Sequence, residues 1–211
     1  MGRILNLTNA HIITMDDDYP VAHSMGIQNG KITSLNYIDN LQETIDCQGA
    51  TVIPGFTDGH MHLTNLGKRM ELLQLKDAAS AEDIANLVRK QSAVLPRGTW
   101  IQGFGWDHTL WNNPNFPTQK ILNNIVHHPV FLTRIDGHSA WVNNYALSLA
   151  GIIQGSCPDG GKIINNCILI DNAMNPVRAT IPKDSSDDIC RWIQNASQQL
   201  VSKGITNVHD A

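Results

Sequence analysis

Residues 52–63 read Val52-Ile53-Pro54-Gly55-Phe56-Thr57-Asp58-Gly59-His60-Met61-His62-Leu63, a short apolar run that closes on Asp-Gly-His-x-His. A divalent-metal site begins with neutral imidazole nitrogens held side by side. Alternate residues of a strand point the same way, so Asp58, His60 and His62 are expected on one face, with both imidazoles at the strand's C-terminal end. This is a start on a site, because catalytic zinc takes three protein ligands and a water. The competing reading is a chance His-x-His in a chain with nine histidines. Nothing between His62 and the last residue, Ala211, supplies an obvious complete set of further ligands.

Other reaction types lack their patterns. Gly-x-Ser-x-Gly is absent, and no Cys/His arrangement stands out as a nucleophile pair. Glycines 55, 59, 103 and 105 do not form a G-x-G-x-x-G opening a helix, which argues against a nucleotide. The four cysteines (Cys47, Cys157, Cys167, Cys190) are widely spaced with no C-x-x-C pair, so a reduced, cytoplasmic setting is expected. With 211 residues, 42% hydrophobic and 16% charged, the chain reads as a soluble globular protein of one large or two small domains. A net charge of −4 gives no reason to expect nucleic acid or an anionic membrane, and no apolar run approaches a membrane helix.

The elements that must position the histidines change character at Pro54. Before it, Ile4–Ala10, His11–Thr14 and a hairpin through Asn29-Gly30 read as short strands, with Asp16–Pro20 as a turn. After it, Ser80-x-x-Asp83 predicts a helix start, with apolar residues at helical spacing to about Leu95. Gly98–Trp106 and Pro129–Arg134 read as strands, and Ala140–Ala150 as a helix ended by Gly151. Ser185-x-x-Asp188 caps a last helix with the stripe Ile189, Trp192, Ile193, Ala196 and Leu200. Gly204 ends it and Ile205–Asp210 begins a strand, one αβ step of a parallel fold. His127-His128 is expected in a solvated loop, and His209-Asp210 at a frayed end.

Four blocks carry a resemblance beyond Val52–His62: Gly98–Asp107, Pro129–Asn143, Ile168–Ala173 and Gly204–Ala211. In this order they are similar to the family 3 branch of the amidohydrolase superfamily, which includes N-substituted formamide deformylases. The resemblance implies an α/β fold: part of a small β-sandwich over 1–53, then over 54–211 the N-terminal part of a metal-dependent hydrolase (β/α) barrel with an inserted α/β segment. It matches His60 and His62 to the family's first two metal ligands, with zinc the expected metal. Ile205–Asp210 corresponds to the second barrel strand, and the remaining ligands and an essential aspartate belong to later strands that are absent here. His138 is placed near the substrate pocket, where its imidazole could polarise a carbonyl; the alternative is a local hydrogen bond. Trp106, Asp107 and Trp111 are candidates for the pocket wall, with packing as the alternative for both tryptophans.

One departure from the family is internal. Only Asn165-Asn166-Cys167 separates Ile164 from Ile168, a glycine-poor turn that puts the flanking strand pairing in question. The function implied is hydrolysis of non-peptide carbon–nitrogen bonds in a small amide-like substrate. A metal held there would supply activated water and a polarised carbonyl. The isolated 211 residues are expected to be truncated and inactive, and a non-catalytic remnant or interaction module is the alternative.

Overall fold

Short β-rich runs divided by Asn and Gly fold the start of the chain into small sheets. The strands are β1 (Ile4–Thr8), β2 (His11–Ile13), β3 (Val21–Ala22), β4 (Met25–Gln28), β5 (Lys31–Leu35), β6 (Glu43–Asp46), β7 (Thr51–Val52) and β8 (Phe56–Met61). The computed structural model describes residues 4–38, 43–125, 127–153 and 157–211. One sheet has the order β5-β4-β1-β6 and another β3-β2-β7, and Ala10, Ile12, Ala22 and Met25 form the core between them. The hairpin of β4 and β5 turns as expected, with Asn29 at φ 54° and Gly30 at φ 74°. Strands β6 and β7 were not foreseen. Each pairs in parallel, β6 with β1 and β7 with β2, a long-range choice that local composition does not signal.

Residues 62–199 form a second compact unit, described here by itself. It contains α1 (Leu63–Glu71), β9 (Leu73–Gln74), α2 (Ala81–Ser92), β10 (Ile101–Trp106), α3 (Gln119–Leu122), β11 (Val130–Arg134), β12 (Ser139–Val142), α4 (Asn144–Leu149), β13 (Gly161–Ile164), β14 (Ile168–Asp171), α5 (Asn175–Arg178) and most of α6 (Ser186–Val201). Its sheet has the order β13-β14-β12-β11-β10-β9, parallel from β9 to β11 and antiparallel from β11 to β13. Ile84 and Val88 of α2 pack with Ile101, Trp106, Val130, Leu132 and Trp141 in the main core. Ser80 caps α2 by accepting from the Asp83 N–H at 3.1 Å, and the helix stops at Ser92, short of the expected Leu95.

Two expectations about this unit are corrected. Ser139–Val142 is a strand, so the helix expected from Ala140 begins only at Asn144. Ala140, Trp141 and Val142 are fully buried because β12 runs between β11 and β14, and Asn143 Oδ1 then caps α4 by accepting from Ala146 N–H at 3.1 Å. The Asn165-Asn166-Cys167 turn leaves the pairing of β13 and β14 intact. Asn165 and Asn166 take φ 52° and 55°, the left-handed region asparagine tolerates, and Cys167 N–H donates to Ile164 C=O at 3.1 Å.

Helices α1 and α6 meet closely. A Cβ added to Gly67 would lie 2.0 Å from the Trp192 carbonyl oxygen, so only glycine fits there. Glu71 accepts from Arg191 Nε at 2.8 Å, Arg191 Nη2 at 3.0 Å and Trp192 Nε1 at 2.8 Å. The Arg191 hydrogen bond holds the Glu71 carboxyl below its ordinary value against the opposing effect of burial. At the start of α6, Ser185 and Asp188 cap each other, and these bonds together with Arg191 hold Asp188 down to about 2.

The chain then returns to the first unit, which comprises residues 1–61 and 200–211. The division lies after Met61, whereas the sequence suggested a boundary after Ile53. Gly204, at φ 80°, ends α6, and β15 (Ile205–Asp210) pairs in parallel with β8. The expected fraying of His209 and Asp210 is corrected, since both lie in the paired strand and Ala211 N–H donates to Met61 C=O at 2.8 Å. Among the described residues no helix is long and apolar enough to cross a membrane.

Candidate functional site

His60 lies in β8, and the strand ends at Met61, one residue before His62. His62 is the N-cap residue of α1, where its carbonyl accepts from Leu66 N–H at 2.9 Å. The His-x-His therefore spans a strand end and a helix start, so the alternation argument covers Asp58 and His60 but not His62. Asp58 Oδ1 accepts from the His60 N–H at 3.0 Å, which fixes the backbone ahead of the first histidine. Both histidines are exposed, and β8 and β15 present their C-terminal ends together, with Asp210 opposite Met61.

Imidazole nitrogens suit a divalent metal, and these two come from the stretch that the sequence singled out. Among the described residues, however, no group of three or more His, Cys, Asp or Glu side chains is arranged to hold a metal. His60 and His62 are the residues that could contribute imidazole donors to such a metal.

The second unit carries a separate polar network at the C-terminal ends of β10 and β11. The register sets Trp106 against Arg134. Arg134 Nη2 donates to Asp107 Oδ1 at 2.7 Å and Nη1 to Asp136 Oδ2 at 2.5 Å. Asp136 Oδ1 accepts from the His138 N–H at 2.9 Å, and His138 Nδ1 lies 3.1 Å from Asp171 Oδ1. Asp107 and His138, both singled out from sequence, are thereby joined through Arg134 and Asp136, two residues that sequence reasoning did not select. The signal for them was the pairing of β10 with β11, which one sequence does not reveal.

Electrostatics follow from this geometry. Burial pushes the Asp107 carboxyl up, but hydrogen bonds from Arg134 and Thr109 outweigh it and hold Asp107 below the ordinary carboxylate value. Burial and the neighbouring Arg134 charge together push His108 down, which favours its neutral form. His138 is 77% exposed at its side chain, with Nδ1 engaged by Asp171.

Trp106 packs in the core, whereas Trp111 packs there and also lines a cavity with Ser80, Phe116 and Ile121. Trp106 is fully buried and donates from Nε1 to Leu132 C=O at 2.8 Å, so its ring serves the core. Trp111 is 7% exposed and donates to Ala78 C=O at 3.0 Å. The His127-His128 expectation is half corrected: His127 is exposed, but His128 is buried with Nδ1 3.0 Å from Thr99 O. Burial pushes the Cys167 thiol up to about 12, which removes it as a nucleophile.

With the two histidines and the polar network located, comparison with known proteins decides the family. The amidohydrolase family profile matches residues 43–211. The chain belongs to the amidohydrolase family. Protein LONG AFTER FAR-RED 3 of Arabidopsis thaliana is 31% identical over 98% of this chain and 38% of its own length. N-substituted formamide deformylase of Arthrobacter pascens is 23% identical over 99% of this chain and 42% of its own length. An uncharacterised metal-dependent hydrolase from Pyrococcus horikoshii superposes with a TM-score of 0.71 at 26% identity, over 97% of this chain and 42% of that one. This amidohydrolase-family chain therefore spans about two fifths of the length of these relatives.

Proposed function

We propose that this chain carries the first barrel strand, and the first two metal ligands, of a divalent-metal hydrolase that cleaves non-peptide carbon–nitrogen bonds. The observation that carries the reading is Asp-Gly-His60-x-His62 at the end of β8, in a chain whose solved relatives include metal-dependent hydrolases. β8 and β15 are then the first two strands of a (β/α) barrel. Parallel strands ordinarily have both faces covered, yet four of the six residues in each of these two are exposed. Further strands beyond these residues would cover them and supply the missing ligands. Zinc is the metal proposed, imidazole nitrogen being one of its usual donors.

The substrate class follows the relative that acts on N-substituted formamides: a small secondary amide with a substituent on nitrogen. His138, oriented by Asp171, is proposed to hydrogen-bond its carbonyl, and Asp107 to help position that loop through Arg134 and Asp136. The 211 residues alone are proposed to be inactive, because the described donors stop short of a complete site. The test is hydrolysis of a panel of N-substituted formamides by this chain with zinc supplied. No turnover above buffer is expected, and turnover abolished by a chelator would overturn the claim of an incomplete site.

A further inference from the structure

We propose that a cavity of about 710 Å³ in the second unit binds a small polyanion bearing phosphate or carboxylate groups. Its size falls in the range of small-molecule sites. Four cationic side chains line it, Lys68, Arg69, Arg178 and Lys183, against one carboxylate, Asp184. The chain as a whole has 15 Lys and Arg against 19 Asp and Glu, so this excess is local and runs against the overall composition. Like charges gathered in one concavity repel, and an anionic ligand removes that repulsion.

Two of the cations, Arg69 and Arg178, are oriented by aromatic faces that leave their N–H donors available. The Arg69 guanidinium sits 4.5 Å from the Phe104 ring centroid, and that of Arg178 5.8 Å from the Phe131 centroid. An aromatic face orients a guanidinium without consuming its N–H edge, the edge that meets phosphate or carboxylate in a bidentate pair. Lys68 Nζ lies 2.7 Å from both Asp184 oxygens, so the one internal counter-charge is spent on one cation. The cavity also offers the Thr133 hydroxyl and the Gln102 carboxamide as neutral hydrogen-bonding groups.

The test is calorimetric titration of the full 211-residue chain with inorganic pyrophosphate and, separately, with citrate, at neutral pH and low salt. Saturable binding of at least one probe is expected, and the tighter probe identifies phosphate or carboxylate as the preferred group. The double variant Arg69→Gln/Arg178→Gln is expected to weaken that binding roughly tenfold or more. Lys183 is exposed, and Lys183→Gln is expected to weaken binding several-fold; it decides the matter if the double variant does not fold. Absence of saturable binding with both probes, or binding unchanged in the folded variants, would overturn the proposal.

Discussion

His108 is 8% exposed, stacked on Phe116 with ring centroids 4.0 Å apart, and its Nδ1 is buried with no hydrogen-bond partner among the described residues. Its folded-state pKa is lowered by burial and by Arg134, with Asp107 and Asp136 acting weakly the other way. The unfolded chain takes up that proton first as pH falls, at about 6.5. The contribution to stability is therefore complete above that value and lost as pH drops through it toward the folded pKa. Urea denaturation is expected to show stability falling as pH drops below about 6.5 in the native protein, and a flatter profile in His108→Phe. Identical profiles would remove His108 as the cause. Asp107 follows the carboxylate rule: its stabilising effect is present above the unfolded value and lost as pH falls through the folded one. Arg134→Gln is expected to cost about 1–3 kcal/mol at neutral pH, with the difference shrinking in acid below the carboxylate range. At this scale the sequence named Asp107 and His138 but not the residues between them. Arg134 and Asp136 acquire their meaning only when β10 and β11 lie in register.

At the scale of elements, local chemistry was read well where it is self-contained. The Asn29-Gly30 turn, the Ser80 cap and the mutual Ser185–Asp188 cap each lie within a few residues of sequence and were legible there. Ser185→Ala is expected to lower stability by about 1 kcal/mol by leaving the first turn of α6 uncapped. What sequence missed depends on partners far along the chain. Ser139–Val142 has no strong helix or strand bias, and its place between β11 and β14 makes it a strand. The glycine-poor turn after β13 was misjudged because two asparagines adopt the left-handed conformation that glycine would supply. Replacing Asn166 with Ala is expected to cost about 1–2 kcal/mol, and replacing it with Gly much less. The approach of α1 to α6 is equally invisible in sequence. Gly67→Ala forces a Cβ against the Trp192 carbonyl and is expected to cost at least about 1–3 kcal/mol in thermal unfolding.

At the scale of the molecule, the first unit joins the beginning of the chain to its last twelve residues, 200–211, through the parallel pair β8 and β15. The family blocks were legible because they are contiguous motifs, whereas the return of residues 200–211 to the first unit was not, since it rests on contacts between distant segments. The central claim is that His60 and His62 are metal ligands. The measurement that tests it most directly is a zinc titration of the purified protein alongside His60→Ala/His62→Ala, with competing chelator to set the free metal. The account predicts binding by the native chain that is weakened at least about tenfold in the double variant, as expected when first-sphere donors are removed. Equal zinc affinity in the two proteins would contradict it.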